Sequence, residues 1–426
     1  MDYPHNQHKQ RSTSPITSIR FVTSTALFDG HDASINVIRR ILQQQGVEVI
    51  HLGHNRSAHE IVMAAIEEDA HAIAISSYQG GHIEFFTYCL DLLKEHHASH
   101  ISLFGGGGGT MTRNEIAKLE ALGVTKIYAA EDGLKFGLEG MINDMIQRVR
   151  ISSIKPPDFK KIKNFADHPG ALSELLSVIE LNNTFPSDTP ESYAFFEQIK
   201  KDAATSGARI IGMTGPGGAG KSSVLDEIIL RLIHRDPNAR IAVIAIDPTR
   251  AKTGGALLGD RLRMNSLKHP HCYMRSFATR SENISITHSI EKILQVLKAA
   301  KFDWIFVETS GIGQSDISIT KICPFNVYVM TSEFGAPTQL EKINMFDFAN
   351  LVILNKFDKP TALDALEDIR KQYRRNHPEF LASPLNMLPI FGSIASRFLD
   401  QGIDRIFEFI WGTLKNTPPP PILSSC

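Results

Sequence analysis

Three strings in this chain hold residue types whose spacing can do chemistry. The first, GPGGAGKS at 215–222, fits G-x-x-x-x-G-K-[ST] directly after the apolar run IIGMT and before the helical pattern SSVLDEIILRLI. In that context the backbone N–H groups from Gly215 through Gly218, Ala219 and Gly220 can curl around phosphates. Lys221 then neutralises the β and γ oxygens, the Ser222 hydroxyl reaches magnesium, and Ser223 completes the helix start. The second, Asn355-Lys356-Phe357-Asp358, follows the apolar run LVIL. A carboxylate there can accept from both guanine N1–H and the 2-amino group, a pair adenine lacks, so GTP is expected over ATP. The third is LFDGHDASI at 27–35, which sets His31 between Asp29 and Asp32 on a strand-to-helix turn.

Further polar residues fall where a nucleotide switch is expected. Glu308 and Thr309 end the run DWIFVET, and Glu308 stands where many GTPases carry aspartate; with Lys221 it forms the expected catalytic pair. Gln314, three residues after Gly311, is not assigned to the attacking water. The stretch IAIDPTRAKTGGALLGDRLRM offers Asp247 and Asp260 as magnesium-side acids and Arg263 as a nucleotide contact, in a loop expected to order around Mg-nucleotide. Other histidines have blander readings. Glu95-His96-His97 with His100 reads as a solvated helix end, and His51, His54 and His59 have no acidic or thiol partner at ligand spacing.

The elements that must position these residues come in two alternating series. From 18 to 150, β-branched runs such as IRFVTSTAL, VEVIHLG and AIAISS alternate with helical patterns. Five strands and five helices imply an α/β, flavodoxin-like (Rossmann-like) unit whose ligand sits at the carboxyl ends of the strands, where LFDGHDASI falls. Residues 151–206, rich in proline and charge, read as a partly helical linker. A second α/β series, expected to be a P-loop GTPase domain, fills 207–416. Residues 1–17 and 417–426 are expected to be a disordered lead and tail.

Bulk properties narrow the partners. A net charge of −1 and a pI near 7.0 provide no basic field for nucleic acid. Four cysteines scattered without a C-x-x-C pair fit a reducing, cytoplasmic setting and argue against structural zinc. No apolar run is long enough to span a bilayer.

Taken together, these strings resemble a known pairing. Asp29-Gly-His31-Asp-Ala-Ser34, Ser76-Ser-Tyr78 and Gly105-Gly106 resemble the D-x-H-x-x-G, S-x-L and G-G signatures of the cobalamin-binding domain of B12-dependent acyl-CoA mutases. Ser34 stands in place of the glycine and Tyr78 in place of the leucine. The second series is similar to the G-protein chaperones of these mutases, sharing the phosphate loop, DPT…TGG…LGDR…RM, E-T-x-G-x-G-Q-S and N-K-x-D. The order of the two, with FGSIASRF near the end, resembles the N-terminal part of the fused isobutyryl-CoA mutases. The resemblance implies adenosylcobalamin, GTP/GDP and Mg2+ as cofactors, with His31 as the lower axial ligand of cobalt and Asp29 orienting it. Ser76 and the glycines at 105–109 would line the slot for the displaced nucleotide tail. It also implies a substrate-binding barrel partner, a cobalamin adenosyltransferase as a second partner, and homo-oligomers. A corrinoid carrier or regulator with a GTPase switch and no mutase role is the alternative.

Overall fold

Every residue of RFVTST is buried, as befits a strand covered by helices on both faces. This strand, β1 (Arg20–Thr25), opens the first unit of the computed structural model, which describes residues 19–152, 162–182, 189–249, 253–258, 260–279, 283–309, 320–334, 340 and 343–415. It is followed by α1 (Asp32–Gln44), β2 (Glu48–His51), α2 (Ala58–Glu67), β3 (Ala72–Ser76), α3 (His82–Glu95), β4 (Ser102–Gly106), α4 (Arg113–Leu122), β5 (Lys126–Tyr128) and α5 (Ala130–Ser152). The strands are parallel and ordered β5-β4-β3-β1-β2, the flavodoxin-like arrangement. Its order reverses between β1 and β3, so a crevice opens beyond their carboxyl ends. Helix starts are locally encoded: Ser57 with Glu60 and Thr112 with Glu115 form capping boxes at α2 and α4.

The described residues of the partly helical segment 151–206 include two helices that pack into the core. Helices α6 (Pro169–Asn182) and α7 (Pro190–Ala204) bring Leu172, Leu175, Ile179, Phe196 and Ile199 into one cluster with Ala242, Ile244, Phe277 and Ile305 of the second sheet. They form a layer on that sheet.

The second unit continues with β6 (Arg209–Thr214), α8 (Lys221–Arg235), β7 (Ile241–Pro248), β8 (Ala256–Leu258), β9 (Cys272–Thr279), α9 (Asn283–Ala299), β10 (Trp304–Thr309), β11 (Phe325–Met330), β12 (Leu351–Asn355), α10 (Ala362–Asn376), β13 (Ile390–Ser393) and α11 (Gln401–Lys415). Seven parallel strands run β13-β12-β11-β6-β10-β7-β9. The missing member, β8, belongs to the first unit's sheet: Glu48, Val49 and Ile50 pair in parallel with Ala256, Leu257 and Leu258. Ala256 and Leu258 are fully buried in the first unit's core.

Around this strand the two units join through buried charge. Arg261 pairs with Glu67 and lies 3.6 Å from Glu68, while the Ser276 amide and hydroxyl donate to Glu68 at 2.9 and 3.0 Å. Arg20 pairs with Glu48 at 2.7 Å and reaches Glu180 at 3.5 Å; Arg275 meets the same Glu180 at 3.5 Å and donates to Ser177 Oγ at 2.6 Å. Burial alone would lower the Arg20 pKa, yet Glu48, Glu180 and Glu68 more than reverse this and raise it.

The expected lead, tail and Gln314 lie outside the described residues. Among the described residues no helix is long and apolar enough to cross a membrane.

Candidate functional site

His31 occupies the N-cap of α1 with its side chain 76% exposed, and Asp29 beneath it is buried. Asp29 Oδ1 accepts from the His31 amide and from ring Nδ1, both at 2.9 Å, and Oδ2 accepts from the Tyr78 amide at 2.6 Å. Burial opposes ionisation of Asp29, but the Tyr78 N–H, the His31 N–H and the His31 ring outweigh it and hold its carboxyl below the usual range. An ionised Asp29 makes Nδ1 the donor, so the neutral imidazole keeps its Nε2 lone pair directed outward, as a metal ligand requires. Asp32 lies in the first turn of α1, where the helix dipole favours an acid.

Next to Tyr78, whose ring centroid lies 5.6 Å from that of His31, a cavity of about 260 Å3 opens between α1, α5 and the ends of β3, β4 and β5, lined by Ser34, Ser76, Tyr78, Gly105, Gly106 and Tyr128 among others. Ser34 Oγ and Ser76 Oγ are 3.1 Å apart in its lining. The glycines serve more than one purpose. A Cβ on Gly105 would strike Phe86 and Ile127 in the core, and one on Gly107 would overlap the Ser77 carbonyl. Gly105 to Gly108 line the cavity, and Gly105 and Gly107 are also closely packed on their other sides. The residues fit a cobalamin: an oriented, exposed imidazole near a cleft lined by hydroxyls and glycine backbone.

In the second unit the phosphate loop links β6 to α8. Gly215, Gly218 and Gly220 all have positive φ (147, 78 and 89°), and a Cβ on Gly215 would overlap the Val329 carbonyl oxygen. Lys221 Nζ donates to Gly215 O at 2.9 Å and Pro216 O at 3.3 Å, which holds its ammonium over the loop. Ser222 Oγ donates to Glu308 Oε1 at 2.8 Å, joining the hydroxyl and carboxylate expected at magnesium. Strand register puts Glu308 beside Ala245 and Thr309 beside Ile246, so Asp247 comes next on the neighbouring strand, near the same carboxyl end of the sheet. Among the described residues no three His, Cys, Asp or Glu cluster as a metal cage.

Asn355 is a strut. Its Nδ2 donates to Ala219 O at 2.8 Å, 136 residues away, and its Oδ1 accepts from Ser393 Oγ and the Ala395 amide. It thus ties the phosphate loop to the β13 turn, a role for Ser393 and Ala395 that the sequence reading left unassigned. Asp358 is exposed beside it, open to a base, and Lys356 holds a left-handed φ of 58°.

Residues 172–413 match the family described as "Methylmalonyl Co-A mutase-associated GTPase MeaB", and residues 19–134 match "B12 binding domain". The chain belongs to the MeaB family. Its fold is a flavodoxin-like cobalamin-binding domain followed by a P-loop GTPase domain. It is also similar to two proteins named fused isobutyryl-CoA mutase: 47% identical over 402 residues to that of Geobacillus kaustophilus and 48% over 401 residues to that of Cupriavidus metallidurans. Each alignment covers 94% of this chain but only 37% and 36% of the relative, so the chain spans little more than a third of their length.

In this MeaB-family chain the described part of the expected nucleotide loop, residues 253–258 and 260–263, lies against the first unit. Gly255 is pressed so closely to the α1–β2 turn that a Cβ would overlap Gln43 O and lie 3.0 Å from Val47 O, and Thr253 Oγ1 donates to Gln43 O at 3.3 Å. The turn at Asp260–Arg263 packs near α8 and β2, with Arg261 turned to Glu67 and Arg263 exposed. A cavity of about 780 Å3 also opens at this junction; of the cations lining it, Arg56 and Lys268 share Glu60 and Arg261 pairs with Glu67.

Proposed function

We propose that this chain is the cobalamin-binding and GTP-hydrolysing portion of an adenosylcobalamin-dependent isobutyryl-CoA mutase system, its GTPase acting as chaperone for cofactor loading or protection. The observation that carries the reading is His31 with Nδ1 committed to buried Asp29 and its exposed ring beside Tyr78, which lines the cleft between α1, α5 and the ends of β3, β4 and β5. In this reading His31 Nε2 holds cobalt and Asp29 fixes its tautomer, while Ser76 and the 105–108 backbone line the path of the displaced tail. When bound, the cofactor supplies the radical through cobalt–carbon homolysis. The substrate-binding barrel lies outside these 426 residues.

In the GTPase half, Lys221 and the loop amides bind the β and γ phosphates, Ser222 with Glu308, Asp247 and Thr309 serves Mg2+, and Asp358 reads guanine. Glu308 orients Ser222 now and would accept from a magnesium-bound water in the loaded site. Asp260 and Arg263 keep their expected nucleotide-side roles only if their turn leaves Glu67 and Glu68. A cytoplasmic homo-oligomer working with a barrel subunit and an adenosyltransferase completes the reading.

Paired single substitutions test it. Titration of the full chain with adenosylcobalamin should show a histidine-on-cobalt spectrum that His31→Ala removes, with GTP hydrolysis intact. Lys221→Ala should abolish hydrolysis and leave that spectrum in place. Adding a barrel subunit should then give isobutyryl-CoA isomerisation; stable cobalamin binding without it would support a corrinoid carrier, and an unchanged His31→Ala spectrum would sink the ligand assignment.

A further inference from the structure

Phe28, immediately before the Asp29–His31 pair, stands in the left-handed region at φ 63° with its ring 80% exposed. A bulky residue adopts that conformation only where its surroundings impose it, and burial of this ring offers no compensation. Four hydrogen bonds do the imposing. Asn55 Oδ1 accepts from the Phe28 amide at 2.8 Å, and Gln79 Nε2 donates to Leu27 O at 2.7 Å. Thr25 Oγ1 donates to Asp29 O at 2.7 Å and accepts from the Asn55 amide at 3.1 Å.

Asn55 is itself at φ 57°. Its position therefore needs two properties at once: tolerance of left-handed backbone, and a side-chain acceptor one carbon from Cβ. Asparagine and aspartate supply both; glycine supplies only the first. The loop that carries Asn55 is braced in turn by the second unit. Arg56 Nη2 donates to Leu262 O at 3.1 Å, and the Leu262 methyl lies where a Cβ on Gly53 would be, while Gly53 O accepts from the Thr25 amide at 3.0 Å.

We propose that Asn55 is a positioning residue for His31, clamping the strained Phe28 backbone so that the Asp29–His31 pair faces the cleft, from a loop that the GTPase unit's Leu262 segment supports. The clamp rests on the reading of His31 as the cobalt ligand, and it also has a signature independent of any ligand.

Asn55→Asp and Asn55→Gly separate the two properties. In the full chain, hydrogen exchange at the 28–31 amides should quicken in Asn55→Gly and stay near wild type in Asn55→Asp. Adenosylcobalamin should bind Asn55→Gly about three- to tenfold more weakly, the worth of one hydrogen bond, with a reduced histidine-on-cobalt signal, and bind Asn55→Asp within about twofold of wild type. Thermal melting of each variant shows whether the fold persists. Wild-type exchange in Asn55→Gly, or equal losses in both variants at unchanged melting, overturns the proposal. Wild-type protein that takes up no cobalamin would instead overturn the ligand reading, with exchange at 28–31 still deciding the clamp.

Discussion

Gly255→Ala is the sharpest probe of what the T-G-G stretch does, because nucleotide switch and docking strand predict opposite outcomes. The added methyl would overlap Gln43 O, and that oxygen cannot readily move: it ends α1 and accepts from Thr253 Oγ1 and from the Gly46 amide at 3.3 Å. The relief is to lift β8 from β2. Lifting exposes Leu258, worth about 1.5–3 kcal/mol when fully buried, and forfeits ladder hydrogen bonds of about 0.5–1.5 kcal/mol each. With about two such bonds the docking weakens by roughly 2.5–6 kcal/mol, enough to undock the strand yet leave each sheet its own core. Hydrogen exchange read by mass spectrometry should therefore quicken at least about tenfold along residues 48–51. GTP affinity should stay within about twofold of wild type, since the phosphate loop is built from β6, α8 and Asn355. Unchanged exchange at 48–51 alongside a collapse in GTP affinity would refute the reasoning and return Gly254 and Gly255 to the nucleotide.

Two other expectations concern single carboxylates. Asp358→Asn replaces an acceptor pair by one acceptor and one donor, so the GTP-over-ATP preference should fall by about tenfold or more, corresponding to roughly 1–3 kcal/mol; an unaltered preference in competition binding would contradict the base-reading role. Glu67 is pushed up to about 7 by burial, against the pull of Arg261. The folded chain then holds a proton that the unfolded chain releases near 4.5, so this contribution is present at low pH and lost as pH rises from about 4.5 to about 7, by at most about 3 kcal/mol. Melting midpoints of wild type should fall relative to Glu67→Gln across that window; parallel curves would exclude it.

Much of this architecture is readable along the chain because its signals are local. Both sheets announce themselves as buried β-branched runs, the phosphate loop is contiguous, and His31 lies two residues from the acid that orients it. What escaped reading depends on partners far away in sequence. Ala256-Leu257-Leu258 is three residues long inside a glycine-rich, charged stretch, and only the exposed edge of β2, more than 200 positions earlier, makes it a strand. Leu172, Leu175, Leu176 and Ile179 carry a helical apolar stripe, but proline and charge on either side gave the segment the look of a tether until the second sheet supplied its core. Asn55 had no signal beyond being an asparagine after a glycine-containing turn; its value comes from the strained Phe28 amide it holds.

The junction itself is an unusual way to fasten two domains. Arg20, Glu48, Glu67, Glu68, Arg261 and Arg275 are all largely buried, and ion pairs taken out of water repay their desolvation poorly; apolar residues of similar volume would often hold the units as firmly. Charges are far less tolerant of misplacement than methyl groups, however, because a shifted partner leaves a buried charge unpaired. Glu180 from α6, Ser276 from β9 and Arg261 from the β8 segment each lock to a different group of the first unit, so sliding along any one contact breaks another. An interface of this kind selects one relative placement of the units. That placement puts Leu262 against Gly53, and through Asn55 it reaches the backbone that carries His31, so a rearrangement of the β8 segment cannot occur without disturbing support for the cobalamin-side loop.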